Sequence, residues 1–81
     1  MVNSNLKLFV REGCKRCKEF ENFLKNKKID FELIDVASLG GFMSAQLNEV
    51  MMLPTLMIFD SNGNAINRFN MSSEINEIIA A

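Results

Sequence analysis

The apolar run Leu6-Lys7-Leu8-Phe9-Val10, cut off by Gly13 and followed at once by residues at helical spacing, leaves this chain few ways to fold. A run this short, apolar at every position but Lys7, reads as a strand buried on both faces, which needs a covering layer on each side. From Cys14 the period changes: Cys17, Phe20, Phe23 and Leu24 recur on one face with lysines and glutamates opposite, as far as Asn26 to Lys28. Ile29 to Val36 then reads as a second strand, with Phe31 and Leu33 alternating with Glu32. Strand, crossover helix and strand together predict a parallel, right-handed βαβ unit.

Ser38-Leu39-Gly40-Gly41 breaks the pattern, and Phe42, Met43, Leu47, Val50 and Met51 resume it as a second helix. Leu53-Pro54-Thr55 leads into Leu56-Met57-Ile58-Phe59, which has the length and composition of a buried strand. Asn62-Gly63, within Asp60 to Asn64, predicts a tight hairpin and therefore an antiparallel strand over Ala65 to Phe69. Ser72 or Ser73 is placed to cap a last helix through Ile75, Ile78 and Ile79, with Glu74 in its first turn to complement the dipole. The order is βαβαββα, an α/β arrangement. With 81 residues and 48% hydrophobic content, the chain is expected to form one domain over 1–81, with no room for a second core.

Cys14-Lys15-Arg16-Cys17 holds the only two cysteines and lies where the first strand gives way to the helix. A thiolate, not a thiol, attacks a disulfide, and a helix N-terminus favours the thiolate through its unpaired N–H groups and positive dipole end. Cys14 sits where that influence is greatest. Cys17 follows one turn later on the same side, placed to resolve a mixed disulfide formed by Cys14. A bridge across so short a loop constrains the unfolded chain little, so reactivity explains the pair better than stapling does.

Charge adds to this. Eight of the nine basic residues fall at or before Lys28 against three acidic ones, leaving that part at +5 and the remainder at −6. Lys15, Arg16 and Lys18 crowd the cysteines, favouring a thiolate and steering partners with acidic surfaces. Nucleic acid is not an expected partner, since the net charge is −1 and no aromatic residues interleave with the bases. Two other uses of the pair stay open. One is a soft metal ion, which without histidine or a third cysteine needs carboxylates, water or a second chain to complete its site. The other is a non-catalytic adaptor, because a fold does not fix a function.

Met1 to Asn5 is polar and Leu6 to Val10 is too short for the core of a secretory leader. The longest apolar run, Val50 to Phe59, is interrupted by Pro54 and falls short of the roughly 20 residues that cross a bilayer. The expectation is a cytoplasmic protein with no membrane partner, in a compartment where a C-x-x-C pair is more often catalytic or metal-binding than structural. Met51, Met52 and Met71 lie near loop ends, where a flexible apolar surface suits a protein partner.

Gly13-Cys14-Lys15-Arg16-Cys17 after the first strand, with Leu53-Pro54-Thr55 ahead of the hairpin, resembles the thioredoxin fold in its minimal, glutaredoxin-like form over nearly the whole chain. A C-x-x-C alone is shared with metal sites, and the added hydrophobic-Pro-Thr makes the match far more specific. The resemblance implies a central mixed four-stranded sheet with helices on both faces. It also implies a thiol–disulfide oxidoreductase acting on protein disulfides, with Cys14 and Cys17 catalytic, no metal and no tightly bound cofactor. Substrate contacts would fall to Arg11, Lys15, Arg16, Leu53, Pro54 and Thr55. In that family the proline is cis and packs beside the dithiol, so Pro54 would hold the Leu53 backbone ready to pair with an extended substrate segment.

The chain departs from both main branches. Its Lys15-Arg16 replaces the Gly-Pro typical of thioredoxins and the Pro-Tyr typical of glutaredoxins, and it has no tryptophan before Cys14. Arg11 matches the basic residue that glutaredoxins place three positions before the first cysteine. Asn70-Met71-Ser72-Ser73-Glu74 stands where they carry Gly-Gly and an acid, and Gly40-Gly41 lies in the wrong segment to replace it. That weakens the case for glutathione as reductant and keeps open a resemblance to small redoxins recharged by a thioredoxin-type reductase. A monomer is expected.

Overall fold

The computed structural model describes residues 5–70. In chain order they form β1 (Leu6–Val10), α1 (Lys15–Asn26), β2 (Glu32–Asp35), α2 (Leu39–Leu47), β3 (Thr55–Phe59) and β4 (Ala65–Phe69). The helix expected from Ser72 or Ser73 onward lies outside the described residues. The strands make one mixed sheet in the order β2-β1-β3-β4, with β1 parallel to β2 and β3 antiparallel to both β1 and β4. The βαβ unit and the hairpin are thus both present as the sequence predicts.

β1 runs between β2 and β3, and Leu8 and Phe9 are wholly inaccessible. Its residues alternate between the two faces of the sheet. Leu8 and Val10 pack with Leu56 and Phe69 and against Cys17, Phe20 and Leu24 of α1. Phe9 turns the other way, onto Ile34, Met57 and Ala45 of α2. Helices therefore cover both faces, and each large apolar side chain buried this way contributes about 1.5–3 kcal/mol.

Both helices stop by the same device, which sets the element boundaries. After α1 the N–H of Lys28 donates to the Lys25 carbonyl, and that of Ile29 reaches back to Leu24, with Lys28 at φ 57°. After α2 the N–H of Glu49 donates to Gln46 and that of Val50 to Ala45, with Glu49 at φ 53°. These are Schellman ends with a left-handed residue that is usually glycine. Ile29 is thus spent closing α1, so β2 starts at Glu32 and not at Ile29. Val50 closes α2 in the same way, although its spacing fits a longer helix. Arg68 of β4 fastens that end further, donating to the carbonyls of Asn48 at 2.8 Å and Glu49 at 3.1 Å. Lys28→Gly and Glu49→Gly are each expected to raise stability in urea unfolding by about 0.5–1 kcal/mol, because the left-handed backbone disfavours a β-carbon.

α2 also begins earlier than its apolar spacing suggests. Ser38 is its N-cap: the hydroxyl accepts the Gly41 N–H at 3.0 Å and donates to the Asp35 carbonyl at 2.7 Å. Ser38-Leu39-Gly40-Gly41, expected as a break, is therefore the cap and first turn of the helix. Gly41 is buried against the end of β2, where a β-carbon would collide with the Asp35 carbonyl. The hairpin follows its sequence signal, Asp60 Oδ1 accepting the N–H groups of Asn62 and Asn64 at 2.9 Å each. Among the described residues, no helix is long and apolar enough to cross a membrane.

Candidate active site

Gly13, at φ 84°, turns the chain out of β1 with a backbone angle that glycine adopts at little cost. The Cys14 N–H then donates to the Arg11 carbonyl at 3.2 Å, and Cys14 takes the N-cap of α1 in an extended conformation. An N-cap ordinarily offers a side-chain oxygen to the first free N–H groups of the helix. Here the acceptor is sulfur: Cys14 Sγ receives the Cys17 N–H at 3.1 Å. The first turn contains no acidic residue to oppose the positive end of the helix, and Lys15, Arg16 and Lys18 stand exposed around it.

Cys14 and Cys17 are joined as a disulfide, their Cα atoms 5.2 Å apart. Their surroundings differ. Cys14 is half-buried at the surface, whereas Cys17 is 3% exposed and belongs to the core cluster with Leu8, Phe20 and Leu24. An incoming partner therefore meets Cys14 first.

The Leu53-Pro54 bond is cis, as the resemblance implies. Because β3 runs antiparallel to β1 with Thr55 opposite Phe9, residues 53 and 54 arrive at the end of the sheet where β1 passes into α1. Leu53 packs against both core clusters, including the one that holds Cys17 and borders Cys14. Pro54 and Thr55 are fully buried. The Thr55 hydroxyl donates to the Met52 carbonyl and accepts from Asn70 Nδ2 at 2.9 Å, and the same amide donates to the Pro54 carbonyl at 3.2 Å. Of these three residues only Leu53 keeps exposed surface; the Thr55 side chain fastens the segment from inside.

Arg11 lines a groove of about 260 Å³ together with both cysteines, Lys18, Glu21 and Asp35. Lys15 and Arg16 lie on the exposed side of the first helical turn. A larger groove, of about 560 Å³, is lined by Phe42, Val50, Met51 and Leu53 beside α2. Met51 and Met52 are 89% and 55% exposed, in keeping with the apolar surface expected of them, while Met71 lies outside the described residues. Among the described residues, no three His, Cys, Asp or Glu side chains gather as a set able to hold a metal ion.

Two residues near the site escaped the sequence reading. Asn70 ties down Pro54 from 16 positions away, a contact that no local pattern announces. Glu21 was legible in principle, since it follows Cys17 by four residues and so shares its helix face.

No family model and no curated protein matches the chain. Solved structures do. Thioredoxin 1 from Thermosipho africanus is similar at 29% identity and a TM-score of 0.65, over 93% of this chain and 85% of that one. A thioredoxin of Malassezia sympodialis reaches a TM-score of 0.75 at 20% identity, over 98% of this chain and 76% of that one. The oxidised thioredoxin of Plasmodium falciparum gives 0.71 at 19% identity, over 95% of this chain and 80% of that one. Agreement on this scale, around a cysteine pair with the C-x-x-C spacing, makes the chain a thioredoxin-fold protein.

Proposed function

We propose that the chain is a thiol–disulfide oxidoreductase that reduces protein disulfides by dithiol exchange. The observation that carries this reading is the asymmetry of the pair: Cys14 is half-buried and its Sγ acts as the helix N-cap, while Cys17 is buried in the core cluster. In the reduced protein the Cys14 thiolate receives the Cys17 N–H and the positive end of α1, and attacks one sulfur of a substrate disulfide. That disulfide breaks, one substrate thiolate leaves, and Cys14 is held in a mixed disulfide. The Cys17 thiolate then attacks Cys14 Sγ, a second substrate thiolate leaves, and the protein is left with its Cys14–Cys17 bond. Two electrons pass to the substrate, and the disulfide state is the oxidised end of the cycle.

Arg11, Lys15 and Arg16 supply positive charge for the thiolate and for acidic surfaces on the substrate. The backbone of Leu53, held by buried Pro54 and Thr55, pairs with an extended segment beside the substrate disulfide. The protein works as a cytoplasmic monomer without a tightly bound cofactor, its electrons coming from a thioredoxin-type reductase or from glutathione.

The test couples the protein to NADPH with a disulfide-bonded protein such as insulin as acceptor, once through a thioredoxin reductase and once through glutathione and glutathione reductase. NADPH consumption that requires the protein supports the reading and identifies the donor. No consumption by either route, even when the protein is supplied reduced, would sink it. Charge can be tested separately. Replacing Lys15 and Arg16 together by Gln is expected to raise the midpoint of the thiolate absorbance titration by about 0.3–1 pH unit, since each exposed charge acts with a few tenths of a kcal/mol. An unchanged midpoint would show that the helix N-terminus acts alone.

A further inference from the structure

Residues 48–54 join α2 to β3 and carry the Leu53 backbone, the edge that the exchange reading gives to an extended substrate segment. Met51 and Met52, in the middle of this loop, are exposed, so packing there does little to fix its course. Both ends of the loop are held by one neighbour, β4. Arg68 lies opposite Met57 in the β3–β4 ladder, and Met57 packs with Phe9, Ile34 and Ala45 of α2. Arg68 and Asn70, two residues apart, therefore both project toward the α2 side of the sheet.

At the start of the loop, Asn48, Glu49 and Val50 use their N–H groups to close α2, and the carbonyls of Asn48 and Glu49 fall beyond the last bonds within the helix. The Arg68 guanidinium takes both, Nη2 donating to Asn48 at 2.8 Å and Nη1 to Glu49 at 3.1 Å. A cation at the negative end of a helix is favoured there by the dipole as well. At the other end of the loop, Asn70 Nδ2 donates to the Pro54 carbonyl at 3.2 Å and to the Thr55 hydroxyl at 2.9 Å, and that hydroxyl donates in turn to the Met52 carbonyl. None of these bonds involves Cys14 or Cys17.

We propose that Arg68 and Asn70 are positioning residues for protein substrates, an inference that rests on the exchange reading above. Held at both ends, the loop presents the Leu53 backbone in one arrangement before a substrate arrives, and pairing with that edge then costs little further ordering of the chain. A small disulfide that reaches Cys14 without an extended segment gains nothing from the same edge. The two residues thus set the preference for protein disulfides over small ones and leave the sulfur chemistry as it is. Arg68 suits its place because a planar fork of N–H donors reaches two carbonyls at once, which a lysine ammonium on a flexible stem matches less well.

The test oxidises the full-length reduced protein in two ways: with insulin at increasing concentration, quenched by acid and thiol alkylation, and with 5,5′-dithiobis(2-nitrobenzoate), followed by stopped flow. Arg68→Gln and Asn70→Asp, which keeps the shape of the side chain but removes its donors, are each expected to raise the half-saturating insulin concentration about five- to tenfold, the scale of one lost hydrogen bond. The maximal rate with insulin and the rate with the small disulfide should stay unchanged. Amide hydrogen exchange at residues 50–53 should quicken in both variants. Arg68→Lys should recover only part of the insulin effect. Arg68 is exposed, so Arg68→Gln carries the test even where Asn70→Asp lowers stability.

An unchanged half-saturating insulin concentration in Arg68→Gln overturns the proposal. So does equal slowing toward insulin and the small disulfide, which marks a disturbed Cys14. Full recovery by Arg68→Lys, with an effect that fades in salt, overturns it too, since charge and not the held loop would then be the cause. If the unsubstituted protein is oxidised by neither reagent, the exchange reading itself fails, an outcome distinct from any effect of Arg68 or Asn70.

Discussion

Cys14→Ser is expected to abolish disulfide exchange, and Cys17→Ser to accumulate a mixed disulfide between Cys14 and the substrate. The two cysteines differ in position before they differ in chemistry. Cys14 is half-buried, against a buried Cys17, and its Sγ caps the helix N-terminus, so only it combines access with stabilisation of negative charge. A serine hydroxyl there still caps α1, serine being among the preferred N-cap residues. The Cys14→Ser protein should therefore fold normally, and its loss of activity should exceed about a thousandfold, because a hydroxyl cannot substitute for a thiolate in disulfide exchange. Without Cys17 the first attack still proceeds and nothing resolves the product, so intact-mass analysis after incubation with a disulfide substrate should show an adduct on Cys14. Equal loss in both variants with no adduct in Cys17→Ser would contradict the assigned roles.

Gly41→Ala is expected to destabilise the fold more than any conservative change outside the apolar core. A β-carbon at this position meets the carbonyl oxygen and carbon of Asp35 and the Ser38 hydroxyl. Two of those atoms are backbone, and Ser38 Oγ is committed to the Asp35 carbonyl and to the Gly41 N–H, so relief requires α2 to move off β2. The cost should be about 2–4 kcal/mol in urea unfolding, of the order seen for overpacking against an unyielding neighbour. Gly40→Ala supplies the contrast. Nothing lies near its β-carbon, and in a helix alanine is favoured over glycine by about 1 kcal/mol, so this neighbour should gain stability. Similar behaviour of the two variants would mean that α2 does not lie against β2 in the way described.

These glycines also show where the sequence was readable and where it was not. β1 and β4 have the predicted bounds, because a run with no competing period and a strand after Asn-Gly each carry an unambiguous local signal. α1 differs by a single residue at its start, since Cys14 is its cap and not its first turn. α2 was harder. Ser38 is a good N-cap by composition, yet two adjacent glycines read as a break, and the reason for one of them is a contact with the previous strand that spacing alone does not reveal. Ile29 and Val50 misled in the opposite sense. Both are apolar and fit a strand or a continuing helix, but each is used to close a helix whose left-handed residue is lysine or glutamate instead of the usual glycine.

The site divides in the same way. The C-x-x-C pair, the proline and the threonine form a pattern visible along the chain, and the structure brings the first pair and the second to one end of the sheet. Thr55 was expected at the substrate, and it lies inside with its hydroxyl bonded to the Met52 carbonyl and the Asn70 amide. Burial of a polar side chain depends on the partner that satisfies it, and here that partner comes from the far end of β4.

The most direct test of the account is an equilibrium titration of the Cys14–Cys17 pair in glutathione buffers, quenched by thiol alkylation and read by mass. The account predicts a reversible two-electron transition between dithiol and intramolecular disulfide, at a potential of about −200 to −270 mV if the protein serves as a reductant. If both cysteines remain alkylatable at every buffer ratio, no redox couple exists and the exchange mechanism is wrong.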